Sequence, residues 1–294
     1  MRTLTSGWKF LEGLWWRDGR YWLVDCFGGK VIAVTPQEGA ETIFSYGGTI
    51  SSIGWLSGGD VAVVAMLDRK LLRVGAHGDE VIADLAEAKR GVPNDMITDA
   101  AGRCYIGTMG FDFQAGEPFA PGSILRVDPD GAIHVVADNL LFPNGMALLE
   151  DGRTLVVAET FGQRLTSFQV DSDGGLSNRS TFATFGPPIG DASLEAFLPD
   201  MVLGPDGICD SPDGGIWVSD PFGRSVVLVA PGGSIVKRYE AEEGFGAYSC
   251  VVGGKDNDML AVCLSANHDM SFVEQHPINS KLVELRIADI PSVA

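Results

Sequence analysis

Residues 142–159 read "FPNGMALLEDGRTLVVAE". A Pro-Asn-Gly turn signal runs directly into an apolar segment. An Asp-Gly-Arg turn follows, and then a second apolar segment, which reads as strand, turn, strand. The same order recurs in "VPNDMITDAAGRCYIGT" (92–108) and "GPDGICDSPDGGIWVSD" (204–220). A polar amide or carboxylate placed just ahead of a segment built for burial is the feature that needs a reason.

Working outward, a turn element precedes an apolar strand six times, beginning at Asp18, Gly58, Ala101, Asp151, Asp213 and Asp256, with spacings of 40, 43, 50, 62 and 43 residues. Each is followed by another turn and a third strand: "KVIAVT", "KLLRVG", "SILRVD", "RLTSFQV", "SVVLVA" and "KLVELRI". A fourth strand often follows, as in "ETIFSY", "AIHVVAD" and "IVKRYE". Units of this length with about four strands each are what propeller blades require. Helical periodicity is almost absent, "ADLAEAKR" being the one short candidate. The expected fold is all-β, a single six-bladed β-propeller over residues 1–294 with a central metal site, its blades starting near 12, 51, 94, 144, 206 and 249. Two packed β-sandwiches are the alternative, but they do not call for a six-fold period. The opening "TSGWKF" is expected to add a strand to the last blade and so remove a sheet edge.

The bulk composition fits this reading. An apolar fraction of 45% is enough for a large core, and 38 glycines and 15 prolines spread along the chain suit many short strands joined by tight turns. The formal net charge of −18 repels phosphate backbones, so no nucleic-acid partner is expected. Five cysteines, an odd number with no Cys-x-x-Cys pair, point to buried thiols rather than a disulfide framework. The N-terminus lacks the apolar core of a signal peptide and no run of 18 apolar residues occurs, so neither a membrane span nor export is expected, and the cytoplasm is the expected compartment. There is no Gly-x-Ser-x-Gly elbow, Walker A loop or dinucleotide fingerprint, and the four histidines have no zinc-ligand spacing.

Counting back seven residues from each turn element gives Leu11, Ser51, Asn94, Asn144, Asp206 and Ser249. A shift of one at the first, of the kind a strand-end bulge produces, gives Glu12. In a propeller, equivalent positions on the innermost strands form a ring around the channel. This ring holds two carboxylates, two amides and two hydroxyls above apolar stretches, a donor set suited to a hard divalent cation. Each dipeptide alone is also an ordinary turn signal; the register across repeats is what singles them out.

The stretches "LEGLWWRDGRYWLVD", "PNDMITDAAGRCYIGTMG", "FPNGMALLEDGRTLVVAE", "PDGICDSPDGGIWVSD" and "VVGGKDNDMLAVC" together resemble the SMP-30/gluconolactonase/luciferin-regenerating-enzyme family over nearly the whole chain. The resemblance implies a six-bladed propeller with one divalent metal, and an activity among sugar lactonases, other lactonases and, more distantly, organophosphate hydrolases. By motif, Glu12, Asn144 and Asp206 are implied metal ligands, and Asn94 matches an asparagine that contacts substrate or joins the ligands. Some positions depart from the family pattern. Val92 stands where animal gluconolactonase-type members carry a substrate-holding arginine, with Arg90 out of register. Glu159 stands where many members have aspartate, and a second Pro-Asp at Asp200 competes with Asp206.

Lactone hydrolysis needs a polarised carbonyl and an activated water. Asp206 is the expected proton acceptor, Glu12 the second choice, and Asn94 the donor to the developing oxyanion. The all-oxygen donor set makes calcium the expected cofactor, with Zn²⁺, Mn²⁺ or Mg²⁺ as alternatives. Strand direction places the second-to-third-strand connections on the metal side. These carry Phe27, Phe111, Phe113, Phe161, Phe222 and Phe272, which as pocket residues would suit a substrate less polar than a simple sugar lactone; packing between blades is the equal alternative. The long connections at 110–122 and 265–280 have the length of lids. The expected partner is a small-molecule lactone or another ester, a phosphotriester included. A non-catalytic propeller that binds calcium or a partner is the competing class.

Overall fold

The computed structural model describes residues 1–75, 78–112, 115–150, 152–266 and 279–293. Among these, the strands form six four-stranded antiparallel sheets. The chain divides into two compact units, Met1–Ile50 with Pro205–Ala294, and Ser51–Gly204.

In the second unit the sheets follow chain order as simple meanders. Their first strands are Ile50–Trp55, Pro93–Thr98 and Pro143–Leu149, Ile50 being the last residue before the unit boundary. The first unit contains two more meanders, starting at Leu11–Arg17 and Ile208–Asp210. Its third sheet is composite: Gly246–Gly253, Met259–Ser265 and Ser280–Arg286 are joined at the outer edge by the N-terminal strand Arg2–Trp8. Arg2 pairs with Glu284 and Trp8 with Ser280, so the opening segment takes the outer place expected of it.

In each sheet the outermost strand is less buried than the three inside it. Val61–Ala65 and Ser225–Val229 are buried throughout, whereas the fourth strand Gly39–Ser45 is mostly exposed. Strands covered on both faces need continuous apolar runs, and an outermost strand does not. This is why inner strands read as "VAVVA" and outer ones as "GAETIFS". The turns follow their own chemistry. Between Arg17 and Arg20, Asp18 has φ 52° and Gly19 φ 75°, two left-handed residues in the hairpin turn that matches strand twist.

The helical candidate at 83–90 is a short 3₁₀ turn, Leu85–Ala88, capped by Asp84. The sequence reading did not contain the four-residue helix Leu194–Phe197, which Ser193 caps; a single turn is too short to show a period. No described helix is long and apolar enough to cross a membrane. All five cysteines are free and buried, as expected.

Candidate functional site

In the Ser51–Gly204 unit, Asn94 and Asn144 lie one residue inside the heads of neighbouring first strands, each preceded by a proline. Both are buried, and Asn94 Nδ2 donates to Asn144 Oδ1 at 2.9 Å. Asn144 Nδ2 donates to Thr160 Oγ1 at 3.3 Å. In this arrangement the Asn144 nitrogen faces Thr160 and its oxygen faces Asn94, with a second lone pair remaining on that oxygen. Register breaks between Pro93 and Met96 and between Pro143 and Met146 accompany both asparagines. Such bulges re-aim side chains at strand ends. Ser51 plays a different part, because its hydroxyl donates to the Asn94 carbonyl at 2.8 Å and so joins two first strands. Asp95, beside Asn94, is half-buried as a residue, but its carboxyl is desolvated; burial pushes it up to about 6 against the hydrogen bond from Ser52.

In the other unit, Glu12 sits in the strand Leu11–Arg17, again at a register break, between Glu12 and Trp15. The break is of the same kind as those beside Asn94 and Asn144, so it does not by itself account for the one-residue shift that the sequence count needed at Glu12. Cys26 Sγ donates to Glu12 Oε2 at 3.4 Å. Asp206 precedes the short strand Ile208–Asp210 and is buried, and its amide extends the ladder to Ser219 O at 2.9 Å. Gly207 permits this placement, because a Cβ there would lie 2.7 Å from Ser249 Cα and from the Tyr248 carbonyl oxygen. Ser249 Oγ accepts the Leu14 amide at 3.2 Å, so this serine too joins neighbouring first strands. Asp200, the competing aspartate, is exposed at the end of the 3₁₀ turn Leu198–Asp200.

Tyr248 is a residue the sequence reading missed. It is buried, edge-on to Phe10 at 4.8 Å, and the nearby Asp206 and Glu12 carboxylates add to burial in pushing its phenol well up. It therefore keeps its proton, and its O–H is a donor available to this part of the unit. Nothing in "GAYSC" marks a tyrosine for that place, since an aromatic beside a ring position reads as ordinary core.

Asp25 and Glu159, each at the end of a second strand, hold the segments that lead into Glu12 and Asn144. Asp25 Oδ1 accepts the amides of Lys9 and Phe10 at 3.1 and 2.9 Å, just ahead of Glu12. Glu159 Oε2 accepts the Leu141 amide at 2.7 Å, just ahead of Asn144.

The predicted aromatic residues divide. Phe111 and Phe161 are buried in a cluster with Val92, Met109, Ile189 and Phe197. Phe27 is half-buried and stacks on Phe10 at 5.2 Å, and Phe222 is 39% exposed. Phe113 and Phe272, with most of the 265–280 connection, lie outside the described residues. Arg90 pairs with Asp138 at 3.3 Å, while Val92 occupies the apolar cluster. No three His, Cys, Asp or Glu side chains among the described residues gather into a cation-sized group. A donor set with only two carboxylates, completed by amides, would not form one.

Residues 10–266 match the SMP-30/Gluconolactonase/LRE-like region. The pentonolactonase XacC of Haloferax volcanii is 28% identical over 274 residues, covering 89% of this chain and 83% of that protein. Among solved structures, a luciferin-regenerating enzyme superposes with a TM-score of 0.79 at 18% identity, covering 100% of this chain and 97% of the other. A calcium-binding protein, regucalcin, from Agrobacterium tumefaciens gives 0.73 at 21% identity, covering 97% and 94%. The fold is an all-β six-bladed propeller. With the family region spanning most of its length, the chain belongs to the SMP-30/gluconolactonase/LRE-like family.

Proposed function

We propose that this protein is a divalent-metal-dependent lactonase. The observation that carries the reading is the buried Asn94–Asn144 amide pair, two polar side chains held at the heads of adjacent first strands by hydrogen bonds that leave amide oxygen capacity free. Membership of a family with a pentonolactonase relative supports the reaction type.

The donor chemistry fits a hard cation. Glu12 and Asp206 are carboxylates whose charges both raise the Tyr248 phenol's pKa, and the remaining donors are neutral oxygens. As candidate ligands, Glu12, Asn144, Asp206 and Asn94 are grouped by the repeat count in the sequence alone, Glu12 after a shift of one residue. Calcium is the favoured ion, and the likeness to a calcium-binding regucalcin supports it. When bound, the cation supplies Lewis-acid polarisation of the ester carbonyl. The chain's own residues do the rest. Asp206 takes the proton of the attacking water. Asn94 donates its second amide hydrogen to the carbonyl oxygen as charge develops there. Tyr248 offers a further donor, and Glu12, whose Oε2 accepts from the Cys26 thiol, is the second choice as proton acceptor.

Val92, where related sugar lactonases carry arginine, together with the pairing of Arg90 with Asp138, supports a substrate less polar than an aldonolactone. The test is a screen of sugar, alkyl and aryl lactones on protein stripped with chelator and reloaded with Ca²⁺, Mn²⁺ or Zn²⁺. Hydrolysis restored by a cation, and lost in Asp206→Ala and Asn144→Ala, is the expected result. Full activity and cation binding in both variants would sink the proposed site. The regucalcin likeness favours one alternative, a propeller that binds calcium without catalysis. Cation binding with no turnover of any lactone, carboxylic ester or phosphotriester is its signature.

A further inference from the structure

Phe142 has φ +64°. For a bulky aromatic residue this left-handed backbone is a true outlier, and such residues persist only where their surroundings over-determine them. Here they do. The Leu141 amide is fastened to Glu159 at 2.7 Å, Phe161 N donates to Leu141 O at 3.1 Å, and Thr160 N donates to Phe142 O at 3.1 Å. Glu159 is itself clamped by Arg164 at 2.8 and 2.9 Å. The end of one strand thus holds an unfavourable conformation two residues ahead of Asn144.

The strain directs the ring. Phe142 lies against Phe161 at 4.8 Å and Phe111 at 6.0 Å. Those two rings are buried, whereas Phe142 stays half-buried at the margin of their cluster. The same cluster contains Val92. The two bonded asparagines are therefore each preceded, two residues earlier and across a proline, by a side chain of one apolar cluster: Val92 before Asn94 and Phe142 before Asn144. Val92 is buried, so Phe142 is the member of this pair with surface to offer a ligand.

We infer that Phe142 is a specificity-determining residue whose ring receives the alkyl or aryl substituent of a lactone held at the Asn94–Asn144 pair. This rests on the lactonase reading. Of the non-glycine residues with positive φ among the described residues, Phe142 is the one apolar side chain, and asparagine or glycine would take the position with less strain.

The test compares kcat/KM for an alkyl- or aryl-substituted lactone with that for a polyhydroxylated aldonolactone. It uses the wild type, Phe142→Asn, which tolerates the backbone and removes the ring, and Phe142→Tyr, which keeps the ring and adds a hydroxyl. The expected result is a fall of about tenfold or more in the substituted-to-polyhydroxylated ratio for Phe142→Asn, and a smaller fall in the same direction for Phe142→Tyr. Unchanged ratios in the folded variants overturn the inference; if Phe142→Asn does not fold, the Tyr variant alone decides. If the wild type hydrolyses no lactone, the lactonase reading has failed, and the ring is then judged by calorimetric binding of an alkyl-substituted cyclopentanone. Binding to the wild type that weakens about tenfold in Phe142→Asn upholds the role of Phe142. Equal binding, or none to the wild type, overturns it.

Discussion

Glu159 is fully buried, and its carboxylate meets Arg164, Arg179, Thr166 and the Leu141 amide. Burial alone would raise its pKa; the hydrogen bonds from Arg164, Thr166 and Leu141 outweigh burial and hold it below the usual carboxylate range. A depressed folded pKa contributes stability that is present above the unfolded value, about 4.3, and is lost as pH falls through the folded one. Glu159→Gln should therefore cost about 3 kcal/mol near neutral pH, the lower end of what breaking a buried pair costs, because both guanidinium groups are partly exposed. Its denaturant midpoint should also depend less on pH below about 4 than the wild type's. Equal midpoints at pH 7 would show that the clamp contributes nothing. In the sequence this residue read only as a departure from aspartate, since its two arginine partners become neighbours only when strands pair. Asn144 was legible by contrast, because register across repeats is a property of sequence. Whether a loop phenylalanine turns its ring inward or outward is decided by packing, which is why Phe111 and Phe161 could not be placed in advance.

At the scale of elements, the strand pattern was readable because turn dipeptides and apolar runs are local signals, and the six repeats reinforce one another. The helix Leu194–Phe197 was not, and neither was the 3₁₀ character of Leu85–Ala88. The N-terminal strand was legible only through its expected place at the edge of the last sheet. It covers Ser280–Arg286, and Arg2 reaches the buried Glu284 at 2.8 Å. Removing residues 1–8 uncovers an edge whose neighbour was a paired strand. The truncated chain should melt at least about 2–4 °C lower, the shift that about 1 kcal/mol produces at this size, and should show concentration-dependent association by light scattering. A monodisperse truncation with an unchanged melting midpoint would mean that the strand is dispensable.

For the whole molecule, the charge of −18 and the proposed ion make opposite demands on experiment. General screening should stabilise such a chain modestly, whatever the salt. A specific cation should do more: at a hundred times its dissociation constant, about 2.7 kcal/mol. Melts in CaCl₂, MgCl₂ and KCl at matched ionic strength separate the two effects. The rise with Ca²⁺ should exceed that with KCl, disappear with chelator, and be lost in Asp206→Ala. A rise of equal size in all three salts would leave only screening.

The pairing of the first strand with the last carries a consequence for how the protein is made. Arg2 and Glu284 are 282 residues apart in sequence. At about 5–20 residues per second, the opening strand leaves the ribosome on the order of tens of seconds before its partner exists. The contiguous stretch Ser51–Gly204 is synthesised during that wait, whereas the unit made of Met1–Ile50 with Pro205–Ala294 cannot be completed until its later segment exists. The waiting strand, "RTLTSGW", is mostly polar and includes a charge and a glycine, a composition that gives a nascent chain little reason to stick to its neighbours on a polysome.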